Sequence, residues 1–278
     1  MEKKKQFRYS VNEIKTQEER LNYLLEEFRA DSDRYKDMEI PDDIREKQNL
    51  LRSFMNIRMP KRMPGEVIRV QDEYLSYCNR EKGIVKLWDI PVIRENLSIW
   101  QGDITRLEAD AIVNAANSQM LGCFIPMHTC IDNQIHSFAG VQLREECNCQ
   151  MNRLKLKYGS DYEQPVAIPM LTDAYNLPAK KVIHIAGPIV NDKLTPELEK
   201  SLADCYKNVL DMCLENGIKS VAFCCISTGV FRFPNEIAAQ IAVETVEKWC
   251  LKHPNVMERI VFNVFKDDDR KYYEELLR

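Results

Sequence analysis

The stretch Ala111-Ile112-Val113-Asn114-Ala115-Ala116-Asn117 is a short apolar run that ends in two asparagines flanking two alanines. A run of this length is typical of a buried strand, and the amides fall at its carboxyl end. Open α/β sheets bind their ligands at that edge. Side-chain amides both donate and accept hydrogen bonds, which suits sugar hydroxyls. The alternative is an ordinary turn, because asparagine tolerates left-handed backbone geometry.

From residue 84 onward, apolar runs of this kind alternate with longer helical patterns. The predicted strands cover residues 97–101, 111–114, 166–170, 182–186, 220–226 and 259–265. The predicted helices cover residues 132–149, 196–216 and 234–250. Thr195 suits the cap of the second helix, Pro196 its first position and Gly217 its end. This alternation predicts an α/β fold, in which helices cover both faces of a sheet.

The first part of the chain predicts a small helical extension at residues 1–83, ahead of a main domain at residues 84–278. Four apolar residues of its first amphipathic run fall at helical spacing, namely Leu21, Leu24, Leu25 and Phe28. A second run follows Pro41-Asp42-Asp43, and a third spans about residues 66–78. The extension is therefore expected to contain three helices.

Composition excludes several classes of protein. Hydrophobic residues make up 45% of the 278 residues and charged residues 29%, as in ordinary soluble domains. No run approaches the roughly 18 apolar residues of a membrane helix, and the start Met-Glu-Lys-Lys-Lys-Gln lacks the apolar core of a secretory signal. The net charge is −4, without a basic block. We therefore expect a cytoplasmic protein with neither a nucleic-acid nor a membrane partner.

Two further motifs follow predicted strands. Gly102-Asp103-Ile104-Thr105 offers a carboxylate that either caps a helical turn or accepts from a ligand amino group. Ser227-Thr228-Gly229-Val230-Phe231 leads into the helix near Pro234, and a loop of this kind offers backbone N–H groups to a phosphate. Each motif is modest evidence by itself, since caps and single-glycine loops are common.

Together with Val182-Ile183-His184-Ile185-Ala186-Gly187-Pro188, these motifs resemble the macrodomain family in order and spacing, over about residues 84–278. The resemblance implies a three-layer α/β/α macrodomain sandwich with an ADP-ribose cleft. It further implies that Asp103 holds the adenine amino group, that Ile104 also contacts ADP-ribose, that Asn117 binds the distal ribose, and that the diphosphate lies on the backbone of five residues. Those five are Ser227, Thr228, Gly229, Val230 and Phe231. His184, inside an apolar strand, is expected to be a hydrogen-bonded core residue, and His136 is expected to be a hydrogen-bonded structural residue.

One stretch departs from the common family, which has a run of glycines after the second asparagine. Here it reads Gly122-Cys123-Phe124-Ile125-Pro126-Met127-His128-Thr129-Cys130. Two thiols and an imidazole, Cys123, His128 and Cys130, suit a tetrahedral zinc ion, and three ligands with an open position are typical of catalytic zinc. The alternative is that these three residues only pack in the interior. Cys147-Asn148-Cys149 could add a fourth ligand, which would make the zinc structural, but we expect these cysteines to pack in a helix.

With this loop the sequence resembles the zinc-dependent macrodomains of bacteria and fungi, ADP-ribosyl hydrolases with a helical extension. The resemblance implies a hydrolase that removes mono-ADP-ribose from a protein side chain, with Zn²⁺ as cofactor and Asn117 placing the sugar for catalysis. Asp132, two residues past the last ligand, is the second candidate catalytic residue, and its structural alternative is a helix cap. Gene neighbours in that subfamily suggest a lipoate-carrying protein, modified by a sirtuin-like transferase, as the substrate. Two alternatives stay open: a module that binds ADP-ribose without cleaving it, and an interaction protein whose zinc only staples the loop.

Overall fold

The computed structural model describes residues 14–278 and contains eight strands and eight helices in this range. The strands are β1 (Val85–Lys86), β2 (Leu97–Gln101), β3 (Leu107–Glu108), β4 (Ala111–Ala116), β5 (Met170–Asp173), β6 (Lys181–Ala186), β7 (Ser220–Phe223) and β8 (Arg259–Val264). The helices are α1 (Gln17–Ala30), α2 (Ile44–Ile57), α3 (Gly65–Glu81), α4 (Ile131–Ala139), α5 (Val141–Tyr158), α6 (Pro196–Glu215), α7 (Asn235–Lys252) and α8 (Asp267–Leu276). None of these helices is long and apolar enough to cross a membrane.

Six strands form a mixed sheet in the order β2-β8-β7-β4-β6-β5, in which only β5 is antiparallel to its neighbour. Helices cover both faces. Phe223 of β7 packs against Tyr206 of α6 on one face, and Asn114 of β4 contacts Asp132 of α4 on the other. The strands are buried almost throughout, as parallel strands between helix layers must be. The predicted three-layer α/β/α fold is confirmed.

Two predicted elements are wrong in their bounds. The strand expected at residues 166–170 begins only at Met170, because Ala167 adopts a left-handed φ of 64° and Pro169 has no N–H for a ladder. The helix expected at residues 132–149 is two helices that meet at Gly140, whose φ is 105°. A Cβ there would lie 2.7 Å from side-chain atoms of Gln142 and Gln71. Glycine therefore permits a close turn that no other residue would fit.

The helical extension has its own apolar core, and this core packs onto the sandwich. The expected residues Leu21, Leu24, Leu25 and Phe28 are buried, together with side chains of α2, α3 and Val141 of α5. Thr16 caps α1 in a capping box and Asp43 caps α2, so both helices begin where turn-forming residues predict. The predicted boundary between residues 83 and 84 falls in the turn after α3. The division into an extension and a main domain stays a prediction, since the two parts share one buried interface.

Candidate functional site

The three sequence motifs meet at one edge of the sheet. Asp103 follows β2, the loop at residues 227–231 follows β7, and Asn117 follows β4. Both β2 and β7 pair in parallel with β8, and β4 pairs in parallel with β7. The carboxyl ends of β2, β7 and β4 therefore lie at the same edge of the sheet. In the strand order, Asp103 lies at one end of this edge and Asn117 towards the other, with the 227–231 loop between them. This is the position at which open α/β sheets bind ligands.

Asp103 does cap a helical turn, and it also pairs with the helical extension. Its Oδ1 accepts from the backbone N–H of Thr105 at 3.0 Å and from the Thr105 hydroxyl at 2.6 Å. Its Oδ2 lies 3.3 Å from Nζ of Lys82, which follows α3 and also lies over the ring of Phe138. These contacts outweigh burial and lower the pKa of Asp103, so the carboxylate is charged and able to accept. Ile104 is buried beside it.

The loop at residues 227–231 presents free backbone donors. Ser227 adopts a left-handed φ of 67°, and its carbonyl accepts from the N–H of Phe233 at 3.0 Å. Within the described chain, no group accepts from the N–H groups of Gly229, Val230 and Phe231. Neighbouring unpaired N–H groups before a helix are a favourable site for an anion. This arrangement is what a phosphate-binding loop requires.

Asn117 directly follows β4 and connects it to the cysteine-bearing segment. Its Oδ1 accepts from the N–H of Gln119 at 3.0 Å, and its Nδ2 donates to the carbonyl of Gly122 at 3.3 Å. Gly122 has a φ of 80°, and a Cβ on it would lie 2.8 Å from the ring of His136. The side chain of Asn117 therefore fixes the turn that begins the segment at residues 121–130, which we call the cysteine loop.

The structure brings Cys123, His128 and Cys130 together in the cysteine loop. Their potential ligand atoms all lie within 4.8 Å of one another, and Cys123 Sγ is 3.6 Å from His128 Nδ1. All three side chains are partly exposed. Burial raises the pKa of the Cys130 thiol to about 12, whereas a bound cation would deprotonate it. Two sulfur atoms and one imidazole at this spacing suit a zinc-like ion.

Asp132 follows Cys130 by two residues, in the first turn of α4, and it is not the helix cap that the sequence offers as its structural role. Helix α4 begins at Ile131, and its cap is Cys130, whose Sγ accepts from the N–H of Asn133 at 3.4 Å. The Asp132 side chain is only 7% exposed and accepts from Asn114 Nδ2 at 2.7 Å. Burial raises the pKa of Asp132 to about 6. Strongly perturbed carboxylates of this kind are frequent in active sites.

A second group of possible metal ligands is buried in the interior and consists of His136, Cys147 and His184. His184 is hydrogen-bonded as expected: Asn114 Nδ2 lies 3.0 Å from its Nδ1, and Thr172 Oγ1 lies 3.0 Å from its Nε2. His136 differs from expectation, because neither of its buried ring nitrogens has a hydrogen-bond partner. Cys147 packs 3.7 Å from His184 rather than beside the cysteine loop, so it does not complete that ligand group.

Sequence reasoning missed the residues that hold the cysteine loop. Arg52 and Asn56 of α2, Asn133 of α4 and Arg144 of α5 all bond to its backbone. Their partners lie up to 76 residues away along the chain. No local pattern marks such contacts, since an arginine on an amphipathic helix is indistinguishable from a solvated one until the helix is packed.

Comparison with known proteins agrees with this geometry. The Macro domain family model matches residues 113–242. The chain belongs to the macrodomain family. It is 46% identical over 266 residues to a protein named protein-ADP-ribose hydrolase from Treponema medium, covering 94% of this chain and 99% of that protein. A Staphylococcus aureus (strain MRSA252) protein of the same name is 40% identical over 264 residues, covering 94% of this chain and 96% of that protein.

A solved structure is similar as well. The Trypanosoma brucei macrodomain in complex with ADP-ribose aligns with a TM-score of 0.62 at 26% identity, over 82% of this chain and 95% of that chain. The fold similarity therefore extends over nearly all of that macrodomain, and the sheet edge described above belongs to the shared fold.

Proposed function

We propose that this protein is a zinc-dependent hydrolase that removes mono-ADP-ribose from modified protein side chains. The observation that carries the proposal is the group Cys123, His128 and Cys130, which lies just beyond Asn117 at the ligand-binding edge of the sheet. The names of the Treponema and Staphylococcus relatives support the hydrolase activity. The zinc requirement rests on the chemistry of the donor set, which fits zinc in ligand type, number and spacing.

In this proposal the ADP-ribose extends along the sheet edge. The Asp103 carboxylate accepts from the adenine amino group beside Ile104, and the backbone of residues 227–231 donates to the diphosphate. Asn117 bonds the distal ribose and holds its anomeric carbon near the cysteine loop. Fixing the sugar in this way makes the attack of water effectively unimolecular.

The bond that breaks joins the anomeric carbon of the distal ribose to the modified side chain. The oxygen of water adds to that carbon, and the side chain leaves with a proton. Asp132 is the candidate to orient or deprotonate the water, or to activate a ribose hydroxyl, because it follows Cys130, the last of these ligands, by two residues. Zinc held by Cys123, His128 and Cys130 would polarise an oxygen or lower the pKa of a nearby water to about 7.

The substrate is proposed to be a cytoplasmic protein carrying a single ADP-ribose. The resemblance to zinc-dependent macrodomains favours a lipoate-carrying protein modified by a sirtuin-like transferase. A reader module would use the same Asp103 carboxylate and 227–231 loop, so binding alone does not separate the two functions.

The experiment measures release of free ADP-ribose from proteins that are mono-ADP-ribosylated on different side chains, a modified lipoate-carrying protein among them. A hydrolase liberates ADP-ribose from at least one of them with turnover. A reader retains the modified protein in a pull-down and releases nothing, and that result in a zinc-replete sample would overturn the proposed hydrolase.

A further inference from the structure

The cysteine loop has no regular secondary structure, and its conformation is set from outside by side chains. Within the sandwich, Arg144 Nε donates to the carbonyl of Leu121 at 2.7 Å, and Asn133 Nδ2 donates to the carbonyl of Ile125 at 2.9 Å. Met127 adopts a left-handed φ of 56°. A loop that contains such a residue keeps its shape only when its surroundings fix it.

The helical extension supplies further contacts, next to His128. Arg52 Nη2 donates to the carbonyl of His128 at 2.9 Å and to Oδ1 of Asn133 at 2.7 Å. Asn56 Oδ1 accepts from the N–H of Met127 at 3.0 Å. Both side chains also donate to the hydroxyl of Ser137, Arg52 from Nε at 3.3 Å and Asn56 from Nδ2 at 2.8 Å.

The helix that carries these two residues is itself fixed to the sandwich. Arg144 Nη1 donates to the last carbonyls of α2, those of Met55 at 3.0 Å and Asn56 at 2.8 Å, and to the following carbonyl of Arg58 at 2.7 Å. A buried guanidinium at a helix C-terminus satisfies carbonyls that have no partner in the helix and opposes the negative end of the dipole. The same guanidinium thus bonds both α2 and the cysteine loop.

We propose that Arg52 and Asn56 are positioning residues for the metal site, so that α2 holds the imidazole of His128 in place for zinc. The inference rests on the proposed function, since it takes Cys123, His128 and Cys130 to be zinc ligands. It assigns the helical extension a role in the chemistry of the sandwich. The N–H of Met127 and the carbonyl of His128 are both bonded to α2, so the backbone that carries the imidazole cannot shift without breaking these contacts.

Loss of such a contact should weaken metal retention without unfolding the protein. Groups that orient metal ligands typically contribute about 10–100-fold to metal affinity. Arg52→Met keeps an aliphatic side chain but removes every donor, together with the guanidinium that lies 6.0 Å from the centroid of the Phe138 ring. Arg45→Met is a matched control, because Arg45 is an exposed residue on the same helix. The probe is zinc alone, followed as its transfer from the loaded full-length protein to a chromogenic chelator.

We expect zinc release to be about 10–100-fold faster in Arg52→Met than in the wild type and unchanged in Arg45→Met. ADP-ribose affinity, measured by calorimetry, should change little, because its proposed contacts lie on other loops. Arg52→Lys separates geometry from charge, since the Lys Nζ keeps the charge but ends one bond short of the guanidinium nitrogens. Faster release in Arg52→Lys supports positioning, whereas release at the wild-type rate would mean that only the charge matters and would overturn the proposal.

The experiment distinguishes failure of this inference from failure of the proposed function. If Arg52→Met is folded and releases zinc at the wild-type rate, the positioning role is wrong while the hydrolase proposal stands. If Arg52→Met does not fold, Arg52→Lys decides by the same measurement. If the wild-type protein itself retains no zinc, the proposed zinc-dependent function and the positioning role toward zinc both fail, and turnover measured in parallel shows whether a metal-free hydrolase remains.

Discussion

The side-chain amide of Asn114 donates a 2.7 Å hydrogen bond to the carboxylate of Asp132, joining β4 to the first turn of α4. The strand that carries the buried Asn114 therefore also holds the carboxylate of Asp132, two residues past Cys130. Burial raises the pKa of Asp132, and its Oδ1 lies 3.5 Å from Nε2 of the otherwise unpartnered His136. Burial of an acidic side chain in such surroundings costs stability, and side chains that are kept at such a cost are expected at functional sites.

Asp132→Asn tests whether this carboxylate acts in the reaction. Asparagine keeps the oxygen that accepts from Asn114, and the helix cap is Cys130, so the fold and the zinc content should be preserved. Loss of a general base typically lowers the rate by about 10²–10⁴-fold, and we expect kcat to fall in this range. Single-turnover release of ADP-ribose is the measurement. Asp268→Asn, at an exposed carboxylate on α8, is the control, and wild-type turnover in a zinc-replete Asp132→Asn protein would remove Asp132 from the mechanism.

Asp103→Ala should weaken ADP-ribose binding. A hydrogen bond to a charged group contributes about 1.5–3 kcal/mol, so the Kd should rise by about 10–150-fold. Calorimetry with free ADP-ribose checks this, with Asp33→Ala as the control because the Asp33 side chain is 99% exposed. Unchanged affinity in Asp103→Ala would show that adenine is held by other groups.

Asn117→Ala should affect turnover more than binding, because its amide is proposed to contact the sugar at which the bond breaks. Misplacing a reacting group by about 1 Å typically costs about 10²-fold in rate, and we expect a loss of this order in kcat with a much smaller change in Kd. Asn49→Ala, at an exposed position of α2, should leave both unchanged. Equal losses in affinity and rate would instead make Asn117 a simple binding residue.

The buried imidazole of His184 should make the fold sensitive to acid. Burial lowers the pKa of His184 from about 6.5 to about 3, so below pH 6.5 the unfolded chain binds a proton that the folded protein excludes. Stability therefore falls as the pH decreases through this window, by about 2 kcal/mol between pH 6.5 and 5 for this group. His136, whose pKa is also lowered by burial, acts in the same direction, and Asp132, whose pKa is raised, opposes both.

The measurement is the urea midpoint of metal-free protein at the two pH values, since acid would also release zinc. His184→Gln keeps an acceptor and a donor and should lose less stability on acidification than the wild type. His253→Gln, after the end of α7, should behave like the wild type. An equal acid-induced loss in His184→Gln would contradict the assignment.

Local signals in the sequence predicted the elements that depend on local chemistry. Thr195 accepts from the N–H of Leu198 and Pro196 opens α6, as their types indicated. The apolar run through Val113 is β4, but the strand continues past the buried Asn114 to Ala116, so only Asn117 follows its end. Where the backbone conformation depends on distant packing, as at Gly140, the prediction was wrong, because periodicity alone does not mark a turn inside a helical pattern.

The residues of the candidate site likewise divide into those that the sequence predicts and those that depend on distant packing. The ligand types of the cysteine loop are visible in the sequence, since thiols and an imidazole at short spacing are unusual. The residues that hold the cysteine loop are not visible in the sequence, because Arg52 contacts His128 only after α2 has packed against α4. The burial of Asp132 depends equally on Asn114, which sequence reasoning considered only as part of a ligand-binding motif.

The most direct test of the account measures zinc content and turnover on the same purified sample. We expect about one zinc per chain, loss of ADP-ribose release when a chelator removes it, and recovery on adding zinc. Cys130→Ser keeps a capping oxygen for α4 but removes a thiolate, so it should lose both zinc and turnover while still binding ADP-ribose, whereas exposed Cys149→Ser should lose neither. Stoichiometric zinc in Cys130→Ser, or wild-type turnover by zinc-free protein, would contradict the account.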